Sequence, residues 1–337
     1  MQSEYRKSKK TFIISVLILS ALIVILFFVS MSVGRYRIPF PDVIKYFTGQ
    51  TVPELSARVI AYLRLPRTLL AALVGCALAV SGAIYQSAFN NKLVSPDLLG
   101  VSSGASVGAC FAILLGLSGV FISLFSFAMG FLAVILTVLI AKIFKNKSNV
   151  VLLLSGIAVG GLMSSGVGLM KYLADDEMKL AEMTYWLLGD LSGTTMKEVW
   201  IMLPIVVVSC VVTVLMSWRV NIVSLGAKES KALGINYNAN MGILIGIATI
   251  LTAVAVSVSG TIGWIGLVIP NVVRLIVGSD NKKVLPLSML LGAAFMIIVD
   301  MLARTLAPNE IPLSVITGII GTPLFIYAIF KRRKELQ

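Results

Sequence analysis

Histidine is absent from all 337 residues, which removes imidazole metal sites, Ser-His-Asp and Cys-His catalysis and histidine proton relays together. Charge is scarce too. Asp, Glu, Lys and Arg make up 13 % of the chain, against about 25 % in soluble domains, too little to cover a large water-facing surface. The three cysteines, Cys76, Cys110 and Cys210, lie in separate apolar stretches without C-x-x-C spacing and read as small packing residues. No Gly-Lys dipeptide occurs, so the phosphate cradle G-x-x-x-x-G-K-[ST] is missing. No Pro/Ser-rich linker, charge block or low-complexity tract divides the chain, so residues 1–337 read as a single domain.

What is present is apolar length: 58 % of residues are hydrophobic and the mean hydropathy is +0.97. A helix needs about 20 apolar residues to cross a bilayer. Stretches free of Asp, Glu, Lys and Arg occur at 11–34, 68–91, 98–141, 148–170, 199–218, 232–273, 284–299 and 311–330. Two are twice too long, and turn-prone residues divide them at Gly116–Gly119 and around Ser259, Gly260 and Gly263. The expectation is an all-α polytopic membrane protein with about ten transmembrane helices. The first run follows Arg6, Lys7, Lys9 and Lys10 like a signal sequence, but its 24 uncharged residues exceed a signal core and no A-x-A site follows, so it reads as a retained span. Ten spans with both termini inside place 18 of the 28 basic residues, Lys145, Lys147 and Arg274 among them, and five of the 15 acids, Asp97 among them, on the inner face. The whole net charge of +13 then lies on one side, the signature of positive-inside topology, and calls for no nucleic-acid partner.

Finer patterns follow. Val80-Ser81-Gly82-x-Ile84 recurs as Val258-Ser259-Gly260-x-Ile262 on helices expected to run oppositely, a weak inverted repeat of the kind transporters use. Gly100, Gly104 and Gly108 form an i, i+4, i+8 stripe on the third span, repeated by Gly156 and Gly160 on the fifth, where close helix packing is the plain reading. Ser95-Pro96-Asp97 has the capping serine, first-turn proline and acid of a helix start, which would begin the third span there. The eighth span, short and holding Pro270, is expected to be irregular.

Ionisable groups within the spans are nearly missing, which weakens the alternative of an ion-coupled secondary transporter. Asp300 and Arg304, spaced i, i+4 at the outer end of the ninth span, either neutralise each other or serve a docking partner. The outer loops are 35–67 and 171–198. Arg64 and Arg67 stand at the outer boundary, where they either snorkel or accept acidic groups from a protein. The inner loop 219–240 is amphipathic, long enough for one or two short helices, and is either a plain interfacial piece or the dock for a separate ATPase.

The stretches RLPRTLLAALVGCALAVSGAIYQSAFNNKLVSPDLLGVSSGAS (64–106), ALG (232–234), 260–304 and EIPLSVITGIIGTPLFIYAIFKRR (310–333) closely resemble the permeases of iron-siderophore and cobalamin ABC importers. That resemblance implies a cell-membrane permease, embedded in lipid, that pairs with a second permease subunit, identical or paralogous. It further implies two cytoplasmic ATPase subunits that hold the ATP and Mg, and an extracytoplasmic binding protein. No cofactor, metal or catalytic residue is expected on this chain. By resemblance Arg64, Arg67 and Arg304 receive acids from the binding protein. Gly226, Ala227, Ala232, Leu233 and Gly234 fall in the segment, Gly226 to Asn236, that presses into the ATPase. Asn91, Leu93, Asn149 and Val150 lie at the cytoplasmic gate. The family often has Pro-His and Asp-His-Arg where this chain has Pro270-Asn271 and Asp280-Asn281-Lys282, and Asn-Pro where Asn91-Lys92 stands. A ferric siderophore is the expected cargo, with cobalamin or haem as alternatives. The spans themselves name no ligand.

Overall fold

A computed structural model describes residues 2–144 and 149–333. Among these residues there is no strand, in keeping with the need of a backbone in hydrocarbon to satisfy every polar group internally. Helix α1 (Gln2–Ser32) is followed by an outer segment that is itself helical, α2 (Phe40–Phe47) and α3 (Glu54–Arg58), entered through Pro39 and Pro53. From α3 the chain passes through a widened π-helical stretch (Val59–Arg64) into α4 (Leu65–Ala88). Pro66, with no N–H to offer the turn before it, stands at that junction.

Next come α5 (Val101–Leu114), α6 (Val120–Ile143) and α7 (Asn149–Tyr172). The second outer loop carries α8 (Glu177–Leu188), whose first turn is capped by the Asp176 carboxylate, and α9 (Met196–Leu215) begins in a capping box of Thr195 and Glu198. On the face expected to be the inner one lie the short helices α10 (Ser217–Val223) and α11 (Ala227–Ala232). Finally come α12 (Tyr237–Ser259), α13 (Ile265–Val277), α14 (Asn281–Ala303) and α15 (Leu313–Arg333). Eight of these helical stretches are long and apolar enough to cross a membrane, and α5 and α13 are shorter apolar segments. Together they answer the ten expected spans.

The centre of the bundle is α4, which packs against α9, α12, α13 and α14 and is buried along most of its length. Two glycine pairs let backbones meet there. A Cβ on Gly75 would lie 2.2 Å from the Gly292 carbonyl oxygen of α14, and one on Gly82 only 1.8 Å from that of Gly266 on α13. Between α4 and α12, Ser81 Oγ donates to the Ala248 carbonyl at 2.9 Å and the Tyr85 and Thr249 hydroxyls stand 3.0 Å apart.

Several sequence expectations change here. Ser95 makes no capping bond; Pro96–Leu99 forms a 3₁₀ turn, and the third span starts at Val101 after a left-handed Gly100 (φ +81°). The glycine stripe therefore divides. Gly104 and Gly108 press on α6 at Met129 and Phe125, while Gly100 faces Gly156 and Gly160 of α7. The two copies of the short repeat occupy unlike positions, Ser81 in mid-helix and Ser259 at the end of α12 before a positive-φ Gly260. Cys76 and Cys210, far apart in sequence, bring their sulfurs to 3.7 Å between α4 and α9. The inner charges Lys145 and Lys147 lie outside the described residues.

Candidate functional site

At the end expected to be the outer one, the first turn of α4 carries Arg67, the π-helical stretch ends at Arg64, and the last turn of α14 presents Asp300 with Arg304 as its cap. None of the three arginines is more than 8 % exposed, and Asp300 is fully buried. This corrects their expected position at the aqueous boundary. The tightest partner of Asp300 is also not the one that helix spacing indicates: Arg67 Nε lies 2.6 Å from Asp300 Oδ1, across 233 residues of sequence, whereas Arg304 Nε is 3.5 Å from Oδ2. Arg67 reaches Glu310 as well, at 2.9 Å. Arg304 donates to the Ser30 carbonyl at 3.0 Å, and Arg64 donates to the carbonyls of Met31 and Tyr36. Burial pushes the Arg304 guanidinium below its ordinary pKa, a shift opposed chiefly by Asp300. Three guanidiniums face two carboxylates, so the cluster keeps one excess positive charge in poorly hydrated surroundings. It lines a cavity of about 290 Å³ rimmed by Arg35 and by the turn Leu191–Thr194. Arg35, Arg37 and Arg58 are the exposed arginines of the segment before α4, Arg58 paired with Glu54 at 2.6 Å; sequence reasoning passed over all three.

At the inner end, α11 lies between Gly226 (φ +109°) and Gly234 (φ +74°), backbone settings that favour glycine. Ala227 opens the helix and Ala232 ends it; Ser230 Oγ fastens it to α10 by donating to the Ile222 carbonyl at 3.1 Å. Leu225 and Leu233, on either side, are 57 % and 55 % exposed. Of the expected gate residues, Leu93 and Val150 are exposed, Asn91 closes a tight turn by accepting from the Leu93 N–H at 2.9 Å, and Asn149 pairs with the Tyr237 hydroxyl at 3.1 Å. That last contact joins the start of α7 to the end of the inner loop.

A polar network that sequence reasoning missed ties these pieces together. Arg274, counted among the inner-loop charges, is buried on α13 and donates to Gln86 Oε1, to Ser87 Oγ at 3.3 Å and to the Ala83 carbonyl at 3.4 Å. Ser87 donates to Asn281 Oδ1 at 2.8 Å, the Asn281 N–H donates to Asn221 Oδ1 at 2.8 Å, and Asn221 Nδ2 reaches Asp280 at 2.7 Å. Asn271 donates to the Lys92 carbonyl at 2.9 Å and to the Leu267 carbonyl at 2.8 Å, an oxygen that also accepts from Gln86 Nε2 at 3.2 Å. Asn271 and Asn281, which depart from the histidines common in the resembled family, are thus both working members of a hydrogen-bonded chain running from α10 through α14, α4 and α13. The signal that could have found it was a polar residue type inside an apolar run, Gln86 with Ser87.

Eight helices long and apolar enough to cross a membrane, with two shorter apolar ones packed among them, define a polytopic helical membrane protein. The chain belongs to the FecCD transport family, which matches residues 22–331. It is 37 % identical to the molybdate import system permease protein MolB of Haemophilus influenzae, over 94 % of this chain and 95 % of that protein. It is 33 % identical to the hemin transport system permease protein HmuU of Yersinia pestis, over 93 % and 94 %. A solved inward-facing ABC transporter of metal-chelate type aligns over 94 % of this chain and 98 % of its own, with 35 % identity and a TM-score of 0.85. The protein is therefore a multi-pass ABC importer permease, a transport subunit that works with partner subunits. Family membership sets aside the ion-coupled carrier.

Proposed function

We propose that this permease imports ferric siderophores. Two permease subunits form the pathway, two cytoplasmic ATPases bind the α10–α11 segment, and an extracytoplasmic binding protein delivers the chelate to the outer face, with both termini cytoplasmic. The observation that carries the reading is α11, a short helix between two positive-φ glycines that holds Leu225 and Leu233 out of the protein's own core. Such leucines are suited to a groove on a partner chain. At the outer face, the one surplus positive charge of the arginine cluster is complementary to a carboxylate from the binding protein, with Arg35 and Arg37 at the rim guiding its approach. The metal-chelate neighbour and the hemin relative support an iron cargo. The molybdate relative favours a second reading, an oxyanion cargo.

The test is uptake in cells deleted for the gene and complemented with it. ⁵⁵Fe-loaded siderophores, cobalamin, hemin and ⁹⁹Mo-molybdate are supplied separately, and an affinity tag on the chain reports co-purifying ATPase and binding protein. Complementation by iron chelate alone is expected. Restoration of molybdate uptake alone would overturn the cargo, and the absence of any ATPase would overturn the coupling assignment.

A further inference from the structure

A second cavity, of about 400 Å³, lies between α5, α7, the α12–α13 turn and the start of α15, and Asp97 is in its wall. The charge count had placed this carboxylate in an inner loop. Instead, the segment after α4 rises into the bundle: Leu98 packs on Gly156 of α7, seven residues in from that helix's start, and Pro96 packs on Gly266 of α13. Asp97 is thus the carboxylate among the spans that the search of charge-free runs did not find.

Hydroxyls of Ser102, Ser103, Ser106, Ser164, Thr261 and Ser314 share the wall with it. Four of the six already give their hydrogen to the protein, and those of Ser103 and Ser164 can donate or accept. Ser102 donates to Asp97, Ser106 to the Ser102 carbonyl at 2.8 Å, Thr261 to the Leu187 carbonyl, and Ser314 to the Leu188 carbonyl at 2.6 Å. A hydroxyl has one hydrogen and two lone pairs, so what these four residues turn to the cavity is acceptor oxygen. No lysine or arginine lines the cavity among the described residues. An acceptor-rich wall with a carboxylate attracts cations and N–H or O–H donors. Its one charged group is a carboxylate, which repels an oxyanion.

We propose that this cavity is a passage subsite selecting cationic or neutral, donor-bearing chelates, such as a ferric trihydroxamate with a free ammonium, and rejecting oxyanions and polyanionic ferric catecholates. The cargo half of this inference rests on the importer reading above; the charge preference rests on the cavity alone.

The charge preference is measured on the purified full-length chain in lipid nanodiscs, with Cys76, Cys110 and Cys210 replaced by alanine and a single Ser164→Cys in the wall. Rates of modification by cationic (ethyltrimethylammonium) and anionic (ethylsulfonate) methanethiosulfonates are each normalised to a free thiol in solution. A preference of about tenfold for the cation is expected, since a cleft of one sign concentrates counter-ions by that order. Asp97→Asn should bring it close to one, and Asp97→Glu should retain it. A ratio at or below one, or a ratio that Asp97→Asn leaves in place, overturns the subsite. Uptake of ⁵⁵Fe-ferrioxamine B by the complete importer is read in parallel. If the labelling preference holds and no iron chelate enters, the cargo assignment fails while the cavity's charge selectivity stands; if chelate enters without a labelling preference, the subsite fails and the importer reading stands.

Discussion

Asp300 shows how a single buried charge constrains the residues around it. Held by Arg67 and Arg304 with no exposure of its own, it balances guanidiniums that would otherwise be stranded away from water. Breaking a buried ion pair from one side costs about 3–5 kcal/mol, whereas an apolar replacement of both partners is often near neutral. Asp300→Ala should therefore lower the thermal unfolding midpoint of the detergent-solubilised protein sharply, and Arg67→Met with Asp300→Leu should recover most of the loss. The same burial changes which residues test docking. Arg67→Glu would place a third carboxylate beside Asp300 and Glu310 and damage the fold, whereas Arg35→Glu with Arg37→Glu touches exposed side chains only. The latter pair should weaken association with the binding protein several-fold at low salt and far less at high salt, because rim charges are screened over about 8 Å at physiological ionic strength. Surface-binding measurements at two ionic strengths, beside an unchanged melting curve, check this; equal affinity of the double variant at low salt would remove these arginines from the dock.

Among the elements, α4 leaves the least room for change. Gly82→Ala puts a methyl group 1.8 Å from the Gly266 oxygen, a backbone atom that can move only if α13 moves with it. Loss of folded protein from the membrane is expected. Gly246→Ala on α12, with nothing within 4 Å of its added Cβ, should be tolerated, and fluorescence-detected size exclusion of the two variants makes the comparison. The inner helix α11 poses a different case. Gly234 has open space around it but a φ of +74°, so an L-residue there is strained by about 1–2 kcal/mol while the bundle stays intact. Gly234→Trp should accumulate to normal levels and retain its melting behaviour, yet lose ATPase association. A variant that still captures the ATPase and transports at the parent rate would show that this turn does not face the partner.

At the scale of the whole molecule, the uneven distribution of basic residues is what the proposed orientation rests on. Single cysteines in the Cys-free background should react with an impermeant thiol reagent from outside at position 176 and only after permeabilisation at position 231; outward labelling at 231 would invert the topology. The helical class and the number of crossings were legible in sequence because each depends on a one-dimensional property. The free energy of moving a segment into lipid is close to a sum over its residues, and loop charges act near the span they flank. The inner loop with two short helices was legible for the same reason, since its amphipathic pattern is local. Local pattern misled where partners are distant. Helix spacing pairs Asp300 with Arg304, while the fold brings Arg67 closer from 233 residues away. A charge count leaves Asp97 and Arg274 in loops, while the packing of Pro96 on Gly266 sets Asp97 in the wall of a cavity and that of α13 on α4 buries Arg274. What the sequence by itself determined is which segments enter the membrane, because lipid acts on each segment separately. Which polar groups meet, which are hidden and which face a cavity was decided only when the helices packed, because burial and pairing are properties of two surfaces at once.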